Sequence, residues 1–319
     1  MKVVIGPNGL GLERSILALE QTYPQCEFAF CADRGALADA LVDADVYFGW
    51  LDRSQFLAAR RLRWIQSSST GVNHFMDIPE LVAGPVLLTS ARGTHNACLA
   101  ESVFAMILAF TRGVRESVLR QEQRQWAWSM IRPRLVELTG STLGIIGFGA
   151  SGRTLAQRAQ AFAMRVIAVD PFPHDPPQSI TLWGMDRLSD LLSQSDYVVV
   201  MAPYTPQTRG LIGVEQLAAM KATAMLVGIS RGGIIDQAAL ADALRAKRLA
   251  AAALDVFDPE PLPADSELWE IENLLIMPHV AGGTQFEGEH LLRVFGENLG
   301  RFLRGEMPLL NQVDKTLGW

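Results

Sequence analysis

Short apolar runs alternate along this chain with stretches whose apolar positions recur every three or four residues. The runs at 2–6, 27–31, 45–50, 64–67 and 86–89 predict strands, with helices over 13–21 and 37–41 between them. A long apolar stretch, 96–114, predicts a helix that links this part to the next. A second series of strands is expected at 143–146, 166–169, 197–201, 224–229, 250–256 and 274–277. Helices are expected over 188–193, 214–220 and 236–246, the last with Asp236 near its N-cap, and a closing helix over 285–303. Proline-rich segments at 171–177 and 259–263 read as loops. This β/α alternation predicts an α/β protein with parallel sheets and helices on both faces.

The stretch 143–170 organises the second series. A strand leads into Gly147, Gly149 and Gly152 in G-x-G-x-x-G spacing, then a helix bearing Leu155, Ala156, Ala159, Phe162 and Ala163, then a strand ending at Asp170. Gly147 permits the turn, Gly149 lets a pyrophosphate approach the backbone, and Gly152 lets the helix pack close. The helix N-terminus aims N–H groups at the phosphates, and Asp170 can accept from the adenosine ribose hydroxyls. Three glycines alone also fit an ordinary glycine-rich turn. The flanking strand, helix and acid favour the dinucleotide reading. Asp170 favours NAD, since it repels a 2′-phosphate and is followed by Pro171, Phe172 and Pro173 rather than Arg.

A length of 319 residues points to two domains, and 49% hydrophobic residues allow a sizeable core. The net charge of −6 offers no footprint for nucleic acid or anionic membrane. No run is long and apolar enough for a membrane span, and no signal-peptide pattern opens the chain. Cys26, Cys31 and Cys98 lack a C-x-x-C pattern and read as reduced packing thiols of a cytoplasmic protein. Two features stay open on the residues alone. The loop from Ser67 to His74 is either an anion-binding turn at a strand end or a plain polar turn. Trp126 and Trp128, in a polar stretch, are either a binding or oligomer surface or a satellite core.

Arg231, Glu260 and His279 each fall just past a strand's carboxyl end, where a doubly wound sheet converges on its ligand crevice. Singly, each also fits a surface charge, a loop acid or a capping imidazole. Together they suit hydride transfer to a 2-keto acid. A guanidinium grips a carboxylate in parallel hydrogen bonds. An imidazolium can protonate the nascent alkoxide, and a neighbouring carboxylate stabilises and orients that ring. His74, His95, His174 and His290 show no metal-ligand spacing, so no metal is expected.

These residues sit in motifs that resemble the D-isomer-specific 2-hydroxyacid dehydrogenases along essentially the whole chain. The motifs are Gly147-Phe148-Gly149-Ala150-Ser151-Gly152 with Asp170, Ala202-Pro203-Tyr204-Thr205-Pro206-Gln207-Thr208, and Ser230-Arg231-Gly232-Gly233-Ile234-Ile235-Asp236. Leu254-Asp255-Val256-Phe257-Asp258-Pro259-Glu260-Pro261 and Pro278-His279-Val280-Ala281-Gly282-Gly283 complete the set. The resemblance implies a Rossmann nucleotide domain (98–281) inserted in a flavodoxin-like substrate domain (1–97 plus 282–319). It implies Arg231 binding the substrate, His279 as acid/base paired with Glu260, and Asp255 at the nicotinamide carboxamide. Ala202, Pro203, Thr208, Ile229, Ser230 and Gly282 would border the NAD, and backbone amides at Thr70 and Gly71 would hold the substrate carboxylate. A Trp matching Trp126 or Trp128 reaches the partner's active site in some hydroxypyruvate reductases of the family, implying a homodimer. Gly228, Asn73 and Tyr204 depart from the family's usual Asn, Asp and Leu. The expected activity is NADH-dependent reduction of glyoxylate, hydroxypyruvate or a similar acid. The alternatives are a phosphoglycerate dehydrogenase-type enzyme and a dinucleotide-sensing, corepressor-like binding protein.

Overall fold

The structure is a computed structural model and describes residues 1–8 and 12–318. The chain divides into two compact units, Met1–His95 with Thr284–Trp319, and Asn96–Gly283 inserted between them.

The first unit holds β1 (Lys2–Ile5), β2 (Glu27–Phe30), β3 (Val46–Phe48), β4 (Trp64–Gln66) and β5 (Leu87–Thr89). They form one parallel sheet in the order β2-β1-β3-β4-β5, a doubly wound, flavodoxin-like arrangement. Its inner strands β1, β3 and β4 are buried on both faces, so they read as unbroken apolar runs. Val4, Tyr47, Ile65 and Leu88 face one core; Val3, Ile5, Val46, Phe48 and Trp64 face the other. The helix Glu287–Arg304 covers the second face with Leu291, Leu292, Phe295, Leu299 and Phe302. The Phe295 ring lies 5.0 Å from Phe48 and 5.4 Å from Trp64.

The second unit holds β6 (Thr142–Ile146), β7 (Arg165–Val169), β8 (Ile180–Trp183), β9 (Tyr197–Val200), β10 (Met225–Gly228), β11 (Ala251–Leu254) and β12 (Leu274–Ile276). All pair in parallel, in the order β12-β11-β10-β9-β6-β7-β8. The order reverses at β6, which makes the β6/β9 boundary the switch point where a Rossmann sheet takes its ligand. Side chains alternate between two cores. Leu143, Ile145, Val199 and Val227 face one; Ile146, Val198, Val200 and Leu254 face the other.

One transverse row of this sheet positions the site. Trp183, Val169, Ile146, Val200, Gly228, Leu254 and Ile276 are in register across all seven strands. Gly147, Asp170, Ala202, Arg231, Asp255 and His279 therefore all emerge one to three residues beyond that row, on the same edge.

The structure adds elements that the pattern did not indicate. Strand β8 follows the proline-rich loop as a half-buried edge. The helix Arg53–Ala58 starts at Asp52, whose carboxylate accepts from Gln55 N in a capping box. The helix expected over 96–114 runs only Asn96–Thr111. Gly113 takes a left-handed φ of 66° and turns the chain into a second helix, Val114–Glu122. Among the described residues no single helix is long and apolar enough to cross a membrane, though this bent pair passes on length and composition.

Candidate active site

The fingerprint turn explains its glycines by contact. Gly147 has φ 95°, and a Cβ there would lie 2.7 Å from Ala202 N. At Gly152 a Cβ would sit 2.5 Å from Gly147 O, so the helix Ala150–Ala161 could not approach the turn. Gly149 differs, because a Cβ there would meet no atom within 4 Å. That open approach, at the N-cap of a helix with no side-chain cap, is what a pyrophosphate needs. The Asp170 carboxylate accepts from Phe148 N at 2.8 Å and from Phe172 N at 2.9 Å. Each oxygen keeps a lone pair for a ribose hydroxyl. The residues fit a dinucleotide.

Several expected cofactor residues face the core rather than the edge. Phe148, Ile229 and Ala202 are buried, so only their backbone is offered. Thr208 closes its own loop, donating to Pro203 O at 2.6 Å and accepting from Thr205 N at 2.8 Å. Ser151 Oγ donates to Asn96 Oδ1 at 2.8 Å. Where the family usually has Asn, a Cβ on Gly228 would lie 2.7 Å from Ile235 Cδ1 and 2.8 Å from Leu254 Cδ2. Those two side chains fill the space, so the departure is accommodated by local packing.

The structure brings His279 and Glu260 together. His279 Nδ1 lies 2.7 Å from Glu260 Oε2. The other Glu260 oxygen accepts from Phe257 N at 2.8 Å. The loop carrying Glu260 is held further by Gln237, whose side chain bonds Asp258 N at 3.0 Å and Asp258 O at 2.8 Å. A carboxylate facing Nδ1 favours the tautomer with the proton there, which leaves Nε2 as the nitrogen for proton exchange.

His279 has φ 54°, an uncommon conformation for a residue with a side chain. Bonds on both sides of the following backbone hold it. The buried Asp255 accepts from Val280 N at 2.8 Å and Ala281 N at 2.9 Å. From the helix Asn96–Thr111, Ser102 Oγ donates to Ala281 O at 3.0 Å and Cys98 Sγ to Gly282 O at 3.1 Å. Burial pushes the Asp255 carboxyl above its ordinary value; the two N–H groups and His279 pull it down, and Glu260 pushes it up. Asp255 thus fixes the His279 loop, whatever else it touches. Ser102 and Cys98 had no signal in the sequence, because they lie about 180 residues from their partners.

Arg231 follows β10, on the strand neighbouring Asp255 and Glu260. Its Nη1 donates to Ser230 O at 2.6 Å. Burial lowers its guanidinium below its ordinary value and Glu260 raises it. A Cβ on Gly232 would fall 1.8 Å from Phe257 O. Glycine there lets the Arg231 loop lie directly on the backbone that leads to Glu260.

The remaining expected residues are Thr70, Gly71, Trp126 and Trp128. Thr70 and Gly71 are in the first unit, past β4, where Thr70 Oγ1 is 3.2 Å from His95 Nδ1 and 3.4 Å from Ala91 O. Trp126 is 93% exposed and Trp128 58% exposed, so neither forms a satellite core.

Residues 104–281 match the D-isomer specific 2-hydroxyacid dehydrogenase, NAD binding domain, family. The chain belongs to this family. It is an oxidoreductase acting on CH–OH groups with a nicotinamide dinucleotide. A glyoxylate reductase of Korarchaeum cryptofilum is 34% identical over 284 residues, 88% of this chain and 83% of that protein. A D-3-phosphoglycerate dehydrogenase of Methanocaldococcus jannaschii is 31% identical over 300 residues, 92% of this chain but 56% of that protein. The NADPH-dependent glyoxylate/hydroxypyruvate reductase of Sinorhizobium meliloti, solved with NADP and sulfate, superimposes with a TM-score of 0.85 at 25% identity, over 100% of both chains.

Proposed function

We propose that this enzyme reduces a small 2-keto acid, glyoxylate or hydroxypyruvate first among them, at the expense of NADH. The observation that carries this reading is the His279–Glu260 pair on the strand edge that also presents Arg231. A bound reduced nicotinamide supplies the hydride. Arg231 binds the substrate carboxylate and polarises the carbonyl beside it. His279 Nε2 donates the proton that the developing alkoxide requires, while Glu260 holds the ring at Nδ1. Thr70 and Gly71 are proposed to offer backbone N–H groups to the same carboxylate. Asp170 supports NADH over NADPH, although the S. meliloti relative is NADPH-dependent.

The helix Val114–Glu122 exposes Val114, Val118 and Leu119, and the segment after it exposes Trp126, Trp128 and Met130. We take this face as the contact for a second copy of the chain, with Trp126 the residue offered to the partner's substrate.

The test is oxidation of NADH, and of NADPH in parallel, against glyoxylate, hydroxypyruvate, pyruvate, phenylpyruvate and 3-phosphohydroxypyruvate. Turnover of glyoxylate and hydroxypyruvate with NADH is expected. Preference for the phosphorylated acid assigns the enzyme to the phosphoglycerate type, and preference for NADPH overturns the Asp170 reading. Sedimentation of the same preparation reports the dimer.

A further inference from the structure

The loop that follows Asp170 is exposed from residue 171 to 179 and has no regular structure until β8. Arg153, on the first turn of the fingerprint helix, reaches across to it. Its Nη2 donates to His174 O at 2.6 Å and its Nη1 to Asp175 O at 2.8 Å. The same guanidinium lies over the buried Phe148 ring, 5.0 Å from its centroid. Phe148 is the residue whose N–H holds Asp170 Oδ2 at 2.8 Å. Asp170, Phe148, Arg153 and the carbonyls at 174 and 175 therefore close a circuit around the acid. One side of the carboxylate is bonded to the fingerprint turn. The other, through Phe172 N at 2.9 Å, is bonded to the loop that Arg153 ties down.

We propose that Arg153 is a specificity-determining residue for the cofactor: by pinning the 174–175 carbonyls it keeps Asp170 from retreating before a 2′-phosphate. The inference rests on the NAD reading above. A carboxylate discriminates against a phosphate by like-charge repulsion only while it stays in place. An exposed loop with few anchors yields at low cost, and the carboxylate yields with it. Arg153 is already committed to two carbonyls and a ring face. Its planar fork delivers two parallel N–H groups to two adjacent carbonyls, whereas a lysine's shorter stem presents its donors from a single point. A lone arginine near a ribose could instead serve as a phosphate ligand. The two roles predict opposite signs on its removal, so the residue's function is open to direct measurement.

The experiment is fluorescence titration of NADH and NADPH into the wild type, Arg153→Ala, Arg153→Lys and Asp170→Asn, with 2′,5′-ADP and AMP as competitors. It needs no knowledge of the 2-keto acid. The wild type is expected to bind NADH the more tightly, and Asp170→Asn to narrow the gap. Arg153→Ala is expected to narrow it at least fivefold, mainly through tighter NADPH and 2′,5′-ADP binding, with the NADH midpoint moving less than twofold. Arg153→Lys is expected to behave like Arg153→Ala. A wild type that prefers NADPH, or an Asp170→Asn variant with unchanged preference, defeats the NAD reading itself. If that reading holds and Arg153→Ala leaves the ratio unchanged, the locking role is wrong. If Arg153→Ala widens the gap, the guanidinium is a phosphate ligand and the proposal is overturned.

Discussion

Glu260 uses one carboxylate oxygen for His279 Nδ1, at 2.7 Å, and the other for Phe257 N, at 2.8 Å. The acid that orients the imidazole is thus itself oriented by the backbone, and rotation of either group breaks a bond. Removing the ring removes proton donation, a loss of about 10²–10⁴ in rate for general acid catalysis. His279→Ala should lose kcat on that scale while NADH fluorescence titrates at the wild-type midpoint. Glu260→Gln has one oxygen for two donors: it either accepts from Phe257 N and turns its NH2 toward Nδ1, or accepts from Nδ1 and leaves Phe257 N facing an NH2. A kcat loss on the order of 10² is expected, with KM little changed. Near-wild-type turnover in His279→Ala would remove the acid/base assignment.

Arg231 makes a separate claim on KM. A planar fork forms two charge-assisted bonds to a carboxylate, and a lysine at the same place forms a point contact. Losing one such bond costs about 1.5–3 kcal/mol, so Arg231→Lys should raise KM roughly 10- to 100-fold. Gly232→Ala tests the seat beneath it. The added methyl meets Phe257 O, and overpacking of that kind costs roughly 1–3 kcal/mol or more. Steady-state kinetics on the first variant and thermal melts on the second are the measurements. An unchanged melt would mean the two loops separate freely.

Asp255 should titrate early on acidification. Burial holds its carboxyl above the ordinary aspartate value, so it takes up a proton at a higher pH than an exposed Asp does. The protonated oxygen is a poorer acceptor, and the bond it receives from Val280 N or Ala281 N weakens. The expected result is a reversible fall in kcat on the acid side, above the usual aspartate range. A value raised in the folded state means the folded protein binds the proton more tightly. This group's contribution to stability therefore grows as pH falls through its folded value and levels off below its unfolded one. Rate should be lost there without loss of circular dichroism. Asp255→Asn should be slow at neutral pH and lack that limb. An identical limb in the variant would assign it to another group.

The fold was legible wherever a strand is buried on both faces. Tyr197–Val200 and Met225–Gly228 are wholly buried and appear in the sequence as plain apolar runs. Ile180–Trp183 escaped because an edge strand buries only part of each side chain and here follows four prolines' worth of loop signal. The break at Gly113 was hidden inside an otherwise continuous helical pattern, where one glycine can be tolerated or can stop the helix. Arg231, Glu260 and His279 stood out because each follows a strand by a few residues, and parallel pairing then lines up the strand ends. The groups that hold them did not stand out. Ser102 with Ala281, and Arg153 with the carbonyls at 174 and 175, are pairings between a side chain and a distant backbone atom. A backbone carbonyl carries no residue-specific signal, so no pattern of residue types can announce such a bond.

The first unit depends on a buried polar chain that lends itself to a stability test. Trp64 Nε1 donates to Thr89 Oγ1 at 2.9 Å, and Thr89 Oγ1 donates to Gln66 Oε1 at 2.8 Å. Asn298, fully buried on the helix Glu287–Arg304, donates to that same Gln66 oxygen at 3.2 Å. Its amide also spans Leu310, donating to the carbonyl at 3.0 Å and accepting from the N–H at 2.7 Å. One side chain thus ties strand, helix and C-terminal tail together with every polar atom matched. Asn298→Leu keeps the branched shape and the heavy-atom count, with two methyls bulkier than the amide, and orphans both Leu310 backbone groups, while Gln66 keeps its bond from Thr89. Two part-buried groups left unpaired cost about 1–3 kcal/mol each, so a loss of roughly 2–6 kcal/mol is expected. Asn298→Asp should cost a similar amount, since a carboxylate can accept from Leu310 N but offers no donor to Leu310 O or Gln66. Urea unfolding of the two variants beside the wild type checks this. A midpoint shift worth less than about 1 kcal/mol in both would mean that water replaces the amide and that the tail is held by its apolar contacts instead.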